Sequence, residues 1–215
     1  MNIYPKIQSI FKRDMAAKGR HKPLFMGDYT TPEFEYLKDN IWVFTEKIDG
    51  TNIRIIWDDQ SSDRLLEIKG KTEKSQIPPH LLKKLTAMFP TELFEERYPG
   101  ATLTLYGEGY GVKINSGGNY IKDDVSFILF DVKIGNWWLK REDVEKIAIS
   151  LGIGVVPIVY KGSLFDGIQE VSCGLKSKFG DFFAEGVVGK LLIDLQTRSG
   201  KRIVVKIKHC DFYKT

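Results

Sequence analysis

The sequence predicts an α+β protein in which antiparallel sheets are flanked by a few helices. At least eight short runs are rich in β-branched and aromatic residues and bounded by turn formers, as strands are. These runs do not alternate regularly with helical patterns, as they would in a doubly wound parallel sheet. In addition, Gly135-Asn136 lies between two apolar runs, where a two-residue turn joins antiparallel strands.

The predicted strands share short length, apolar character and flanking Gly, Asp, Asn or Pro residues. In chain order they cover residues 41–45, 52–57, 64–69, 101–107, 126–132, 155–159, 186–193 and 202–208. Fewer segments have helical character. We predict helices over residues 79–89, opened by a proline, over residues 140–152, closed by a glycine, and, from a weaker pattern, over residues 166–177.

Length and composition predict one domain of ordinary size. A chain of 215 residues with 42% hydrophobic residues can bury a sizeable core, and no repeat or long linker divides it, so we expect one domain over residues 1–215. Cys173 and Cys210 are far apart and lack metal-ligand spacing, which argues against a disulfide scaffold and against structural zinc.

The charge pattern leaves the question of a nucleic-acid partner open. The chain carries 32 Lys and Arg against 28 Asp and Glu, and a net charge of +4 is too small to identify such a partner. Lysines are concentrated in residues 69–84 and in the C-terminal tail. Either these lysines line a basic groove or they cover solvated faces.

The hexamer KIDGTN, residues 47–52, raises a specific chemical question. Asp49-Gly50 supplies a turn between two predicted strands, so Lys47 could simply be a surface residue of a hairpin. Alternatively, Lys47 is a nucleophile. A lysine attacks phosphorus only as the free amine, which its ordinary pKa of ~10.4 makes scarce at neutral pH. A nucleophilic Lys47 therefore needs cationic neighbours, desolvation or a metal ion.

Four further motifs follow KIDGTN along the chain. They are YGEGYG at 106–111, FILFDV at 127–132, EGVVGK at 185–190 and VVKIK at 204–208. In this order, the five motifs resemble those of the covalent nucleotidyltransferase superfamily, which contains polynucleotide ligases and mRNA capping enzymes. The resemblance spans roughly residues 40–210. Asn52 stands where DNA ligases and capping enzymes usually carry Arg. In this respect the chain resembles phage RNA ligase 2 and the RNA-editing ligases, which usually carry Asn at this position.

The resemblance implies a nucleotidyltransferase fold and a role for each motif. Lys47 is expected to attack the α-phosphate of a nucleoside triphosphate and to carry the nucleotide as a phosphoramidate. Glu46 matches a position near the adenine edge, with a surface acid at a strand end as the alternative. Asn52 and Lys71 are further expected nucleotide-binding residues. Lys71 stands where related RNA ligases often carry Arg, and keeps the charge without the bidentate fork.

The middle motifs are expected to hold the nucleoside. Glu108 resembles the acid that contacts the ribose, although it could instead be an exposed residue of a Gly-rich turn. Phe130 resembles the aromatic residue that stacks on the purine, with Phe127 as the rival. A phenylalanine in a strand is, however, more often a core residue.

The last two motifs are expected to act on phosphate and metal. Glu185 resembles the acid that organises a divalent cation, and Lys190 a cation near the α-phosphate. Five residues separate them, so on a regular strand they would lie on opposite faces unless the glycines between them bend the chain. Lys206 and Lys208 are two residues apart and therefore share one face of a strand, where they could stabilise charge during phosphoryl transfer.

The resemblance predicts an ATP-dependent RNA ligase that uses Mg²⁺ or Mn²⁺ and joins RNA 5′-phosphate and 3′-hydroxyl ends. A nicked duplex, a tRNA break and free single strands remain alternatives for the natural substrate. A DNA ligase or a GTP-dependent capping-type enzyme is the alternative within the superfamily, and a non-catalytic nucleic-acid end-binding module is the alternative of another class. Lys208 is followed by seven residues, so we expect no OB-fold or helical C-terminal domain of the kind that such enzymes carry. We expect a soluble monomer, with no leader and no membrane span, in the cytoplasm, or in the host-cell cytoplasm if viral.

Overall fold

Antiparallel sheets dominate the structure, a computed structural model that describes residues 3–18, 22–60 and 65–213. The strands of these residues are β1 (Gln8–Ser9), β2 (Phe11–Arg13), β3 (Leu24–Tyr29), β4 (Trp42–Glu46), β5 (Thr51–Asp58), β6 (Leu65–Gly70), β7 (Thr102–Gly111), β8 (Val125–Ile134), β9 (Trp137–Trp138), β10 (Gly154–Val155), β11 (Ile158–Gly162), β12 (Gly186–Leu191) and β13 (Val204–Lys208). The helices are α1 (Pro32–Tyr36), α2 (Pro79–Met88), α3 (Thr91–Arg97), α4 (Arg141–Leu151) and α5 (Leu164–Ser172). The predicted α+β class is confirmed.

The chain forms two compact units, each made of two separate segments. The first unit comprises Met1–Pro5 and Ile48–Val156, and the second comprises Lys6–Lys47 and Pro157–Thr215. The prediction of a single nucleotidyltransferase domain over residues 1–215 stays a prediction. No helix in the described ranges is both long and apolar enough to cross a membrane.

The first unit contains a six-stranded sheet in the order β10-β8-β7-β5-β6, with β9 paired to β8. Its core lies on one face, where inward-facing residues of β5, β7 and β8 pack against α2, α3 and α4. Strands β8 and β9 pair antiparallel on either side of Gly135-Asn136, which confirms the predicted hairpin. Strand β7 continues to Gly111, so YGEGYG is part of a strand and not a Gly-rich turn.

The second unit contains a five-stranded sheet in the order β1-β13-β12-β4-β11 and a separate pair, β2-β3. Alternate residues of β4 are buried, with Trp42 and Phe44 fully enclosed and Val43 and Thr45 partly exposed. This period of two places one apolar face of the sheet against α5 and leaves the other face for polar residues. The pairs β1-β13 and, in the first unit, β10-β8 are parallel.

Several element boundaries differ from the sequence-based prediction for identifiable reasons. The predicted strand 155–159 is two strands, β10 and β11, because Pro157 between them has no N–H to donate to a ladder. Helix α5 begins at Leu164, before the predicted residue 166, because Ser163 and Asp166 form a capping box. Strands β1, β2 and β3 and helices α1 and α3 were not predicted. The first residue of the predicted strand 64–69 lies outside the described residues.

Candidate active site

Three of the predicted site lysines lie on one face of the five-stranded sheet. In the register of β12 and β13, Val188 pairs with Lys206 and Lys190 pairs with Val204. Paired residues and alternate residues along a strand project to the same side of a sheet. Lys190, Lys206 and Lys208 therefore share the face that is not covered by the apolar core. The prediction that Lys206 and Lys208 point in the same direction is confirmed.

A carboxylate joins the nucleophile candidate to this face. Lys47 directly follows β4, and its backbone N–H donates to Gly186 O at 2.9 Å. Its Nζ lies 2.6 Å from Glu185 Oε2, while Lys208 Nζ lies 2.6 Å from the other oxygen, Oε1. The side chains of Lys47, Glu185 and Lys208 are 25%, 18% and 29% exposed, so this lysine–carboxylate network is shielded but reachable from solvent. Such ion pairs hold their side chains in one arrangement better than fully exposed pairs do.

Gly186 explains how Glu185 reaches the same face as the lysines. Glu185 precedes β12, and Gly186 has φ +147°, in the region that favours glycine. A Cβ on Gly186 would lie 2.1 Å from Ile207 O and 2.8 Å from the Cα of Lys208. The chain thus turns at a residue that has no room for a side chain. The sequence-based expectation that a glycine bends the chain here is met by this geometry.

The environment shifts the pKa values of the two C-terminal lysines in opposite directions. Burial, followed by the charges of Lys208 and Lys47 and then those of Arg13 and Lys6, lowers the pKa of Lys206. Burial also acts to lower the pKa of Lys208, but the hydrogen bond and charge of Glu185, with smaller contributions from neighbours, raise it overall. Lys47 and Lys208 each pair with Glu185, whereas Lys206 has no carboxylate partner among the described residues.

Arg13 is a site neighbour that sequence reasoning missed. Strand β1 runs parallel to β13 with Ser9 opposite Lys206, and Arg13 donates to Ser9 Oγ at 3.2 Å. Arg13 also forms an ion pair with Asp211 at 2.7 Å, across 198 positions of sequence. No local pattern could have revealed this pairing, because it depends on the parallel addition of β1 to the sheet.

Glu46 lies on the opposite side of β4 from the lysines. It is 1% exposed, and its Oε1 accepts a hydrogen bond from Ser177 Oγ at 2.6 Å while Oε2 accepts one from the backbone N–H of Lys178 at 2.8 Å. The carboxylate thus holds the loop that precedes β12. The predicted role of Glu46 near the adenine edge stays a prediction. The loop contact is a structural role that the sequence did not indicate.

In the first unit, Asn52 and Glu108 are directly paired across β5 and β7. Their side chains therefore lie side by side on the face of the six-stranded sheet that faces away from its core. Asn52 Oδ1 is buried and has no hydrogen-bond partner among the described residues. A buried acceptor without a partner is costly and therefore fits a ligand that brings a donor. The close approach of Gly50 to β7, where an added Cβ would lie 2.3 Å from Gly109 O, keeps the turn after Lys47 against the same strand.

Of the two stacking candidates, the structure leaves only Phe130 accessible. Phe127 is 1% exposed and packs edge-to-face on Phe89 at 5.2 Å, so it is a core residue. Phe130 is half-buried at a β-bulge, where the register of β7 and β8 shifts. Its ring lies edge-to-face with Tyr4 at 5.0 Å, and the Tyr4 hydroxyl donates to Asp131. The predicted contact of Phe130 with a purine stays a prediction.

Lys71 is exposed at the end of β6, and a buried arginine fixes the turn that carries it. Arg54 is fully buried, donates to Gly70 O at 2.8 Å and forms an ion pair with Glu73 at 3.0 Å. Arg54 therefore shapes the turn and is not available as a surface cation. The predicted phosphate contact of Lys71 stays a prediction.

The loop that contains Asn115 and Ser116, which sequence reasoning missed, forms hydrogen bonds with the turn after Lys47. Asp49 Oδ2 accepts a hydrogen bond from the backbone of Ser116 at 3.2 Å, and Asn115 Nδ2 donates to Gly50 O at 2.5 Å. Asn115 itself adopts φ +46°, an unusual conformation for a residue other than glycine. Asp49 is thus a structural residue of this turn. The Gly- and Asn-rich segment NSGGN at 115–119 was the available signal.

Comparison with known proteins agrees with this arrangement of motifs. A family model described as RNA ligase matches residues 40–208 of the chain. The chain belongs to the RNA ligase family. A search of curated protein sequences gave no match.

Solved structures of RNA ligases are similar to the chain in fold. A Naegleria gruberi RNA ligase mutant in the apo state superposes with a TM-score of 0.65 at 16% identity, covering 97% of this chain and 62% of that one. Another mutant, with ATP and Mn, gives 0.63 at 16% identity over 97% and 63%. A third, with AMP and Mn, gives 0.61 at 18% identity over 82% and 52%. This RNA ligase family chain thus spans about half to three-fifths of the length of those ligases.

Proposed function

We propose that the protein is an ATP-dependent RNA ligase that forms a covalent lysyl-AMP intermediate on Lys47. The observation that carries the proposal is the lysine–carboxylate network, in which Glu185 holds Lys47 and Lys208 at 2.6 Å each. A lysine with a solvated surface role does not need a shielded carboxylate shared with a second lysine. Membership of the RNA ligase family supports the same reaction class.

The proposed reaction has three steps. Lys47 first loses its ammonium proton, for which Glu185 Oε2, at 2.6 Å, is the adjacent acceptor. The free amine attacks the α-phosphorus of ATP, a P–N bond forms, and the P–O bond to pyrophosphate breaks. AMP is then transferred to the 5′-phosphate of an RNA end, which regenerates the lysine and forms a 5′–5′ pyrophosphate. Finally, the 3′-hydroxyl of the other end attacks the 5′-phosphate, and AMP leaves. Splitting one ligation in this way replaces a difficult displacement with easier ones.

Residues of the second unit would stabilise phosphate charge in each step. Lys190, Lys206 and Lys208 present three cations on one sheet face, where fixed charges act on developing negative charge without having to reorganise. Glu185 orients Lys47 through its Oε2. In the first unit, Asn52, Lys71, Glu108 and Phe130 are the proposed nucleotide contacts, and Glu46 is the proposed neighbour of the adenine.

The donor set of the site fits a magnesium or manganese ion that arrives with ATP. The described residues contain no group of three or more His, Cys, Asp or Glu side chains placed to hold a metal by themselves. Mg²⁺ is commonly held by one or two carboxylates together with substrate phosphates and water. Glu185 would be the protein ligand, and the ion would neutralise charge on the phosphates.

Charging of the protein with AMP tests the proposal. Incubation with ATP and Mg²⁺ should add the mass of one AMP to the intact protein, and peptide mapping should place it on Lys47. Lys47→Ala should abolish the gain, whereas Lys178→Ala, a lysine whose backbone N–H rather than ammonium group holds Glu46, should keep it. Absence of the mass gain in the wild type, or its persistence in Lys47→Ala, would show that the proposal is wrong.

The substrate ends require a separate measurement. We propose RNA with 5′-phosphate and 3′-hydroxyl ends, including nicked duplexes, as the substrate, and a monomer as the working form. Sealing of matched RNA and DNA nicks by AMP-charged protein would test strand preference, and labelled ATP compared with labelled GTP would test the nucleotide. Faster sealing of DNA, or charging by GTP alone, would favour the DNA ligase or capping-type alternative.

A further inference from the structure

The aromatic rings of Phe183, His209 and Tyr213 form a stack at the C-terminal end of β13. The rings of Phe183 and His209 are 5.0 Å apart and inclined by 18°, and those of His209 and Tyr213 are 4.2 Å apart and inclined by 27°. Phe183 is 53% exposed and Tyr213 is 42% exposed. Large aromatic side chains are usually buried, so a nearly parallel stack with two exposed members is unusual for a protein surface. We call these three residues the ring stack.

The ring stack adjoins the lysine–carboxylate network within the second unit. His209 directly follows Lys208, and its backbone N–H donates to Glu185 O at 2.9 Å. Phe183 lies two positions before Glu185 in the chain. The stack therefore contains side chains from both segments that carry the network. A group bound on the ring stack would contact the same two chain segments that carry Glu185 and Lys208.

His209 is the middle ring of the stack. Its Nδ1 is buried and has no hydrogen-bond partner among the described residues. The imidazole has an aromatic ring on each side.

Tyr213 forms one end of the ring stack. Within the described ranges, its ring contacts His209 and no other aromatic ring, and its hydroxyl donates to Ser172 O at 2.6 Å. This bond restrains the ring, and its 42% exposure leaves surface on which another planar group can stack. At the other end, the ammonium of Lys176 lies 4.7 Å above the ring of Phe183.

The charges around the ring stack suit a polyanion that carries planar groups. Three nearby cations are paired with carboxylates: Lys176 with Asp181, Lys208 with Glu185, and Arg13 with Asp211. Lys6 and Lys206 have no carboxylate partner among the described residues and add positive charge. Proteins that bind single-stranded RNA combine such cations with aromatic faces on which bases stack. A peptide partner would not require both a stack of parallel rings and an excess of cations.

We propose that the ring stack receives the unpaired base of the nucleotide that carries the 5′-phosphate of an RNA end. The base adds to the outer face of Tyr213, and its phosphate points toward Lys206 and Lys208. This inference rests on the proposed function for the choice of RNA. It assigns a substrate contact to residues outside the five motifs.

Binding of RNA labelled with 2-aminopurine tests the inference, because the fluorescence of this base falls when it stacks. A 5′-phosphorylated RNA with the label at its 5′ end is titrated with protein in the absence of ATP. We expect quenching by the wild type and by Tyr213→Phe, which keeps the ring. Tyr213→Ala should bind about 5- to 100-fold more weakly and lose the quenching, since one base–aromatic stack contributes roughly that factor.

Two controls separate this inference from the proposed function. Tyr36 is 86% exposed in the same unit, and Tyr36→Ala should bind RNA as the wild type does. Charging of Lys47 by ATP, measured by intact mass, should be unchanged in Tyr213→Ala, because that step needs no RNA. Failure of the wild type to become charged would contradict the proposed function alone, since RNA binding is measured without ATP.

Three results would overturn the inference. Tyr213→Ala could bind and quench like the wild type, in which case the ring stack does not hold RNA. Quenching could occur only when the label is at the 3′ end, which would place the other strand on the ring stack. Finally, Tyr213→Ala could require more ATP for charging, which would make adenine of ATP the stacked group.

Discussion

Substitution of Gly186 by alanine is the sharpest test of the site geometry. A Cβ at this position would lie 2.1 Å from Ile207 O, so β13 would have to retreat by roughly 1 Å to restore an ordinary contact. Alanine at φ +147° adds backbone strain of about 1–3 kcal/mol. We therefore expect Gly186→Ala to lower the free energy of unfolding by about 2–4 kcal/mol once the clash is included.

Gly186→Ala should also slow AMP charging of the molecules that remain folded. Gly186 accepts the backbone hydrogen bond of Lys47, follows Glu185 and pairs with Lys208, so all three members of the network shift with it. A displacement of about 1 Å can lower a rate by roughly 10²-fold. We expect AMP charging of the folded protein to fall by about this factor, measured by quenched-flow or manual sampling and intact mass, with stability measured by urea unfolding.

A glycine on the same strand provides the matched control. A Cβ on Gly189 would lie 2.7 Å from the Phe44 ring and 2.9 Å from a Val205 methyl, on the apolar side of the sheet. Gly189→Ala should therefore lose stability through the core but keep its charging rate when folded. Equal rates for Gly186→Ala and the wild type would refute the position assigned to Glu185, as would equal rate losses in the two variants.

Two further predictions concern buried polar groups. Lys206→Met should raise the unfolding temperature at pH 7 and slow AMP charging, because burial and neighbouring cations lower the pKa of Lys206 and make its charged form unfavourable in the folded state. The unfolded chain, in which Lys206 has its ordinary pKa of 10.5, binds the proton more tightly than the folded protein, in which the pKa is lowered. The free energy of unfolding of the wild type should therefore increase as pH rises from the lowered folded pKa to 10.5. Lys206→Met should remove this increase, measured by melting curves at a series of pH values. Ser177→Ala should cost about 1–3 kcal/mol in urea unfolding, because Glu46 loses a hydrogen bond in a buried setting. Ser172→Ala, which removes only an exposed hydrogen bond to the Gln169 carbonyl at a partly exposed serine, should change stability by less than about 0.5 kcal/mol. A stable Ser177→Ala variant would contradict the loop-holding role of Glu46.

The parts of the site that follow from strand periodicity could be predicted from the sequence. Lys206 and Lys208 share a face because residues two apart on a strand always do. The antiparallel hairpin at Gly135-Asn136 was likewise a local signal. Such features need only the residues themselves and their immediate neighbours.

Contacts between distant segments could not be predicted in this way. Glu46 and Ser177 are 131 positions apart, and Arg13 and Asp211 are 198 apart, so neither pair leaves a pattern in any window of sequence. The position of Glu185 is an intermediate case. Spacing alone predicted opposite faces for Glu185 and Lys190, and only the conformation of the intervening glycine reverses that outcome.

The sheet of the second unit explains how an unfavourable group of cations is held together. The alternate residues of β12 and β13 that face inward are buried in the apolar core, so the two strands are fixed independently of the charges on their other face. One carboxylate, Glu185, bonds two of the lysines, while Lys206 has no carboxylate partner in the part of the chain that the structure describes. A site optimised for stability would place a second acid or an apolar residue at Lys206. A lysine without a carboxylate partner is expected at this position if the phosphates of the substrate supply the negative charge. The function then depends on an arrangement that is unfavourable in the absence of substrate.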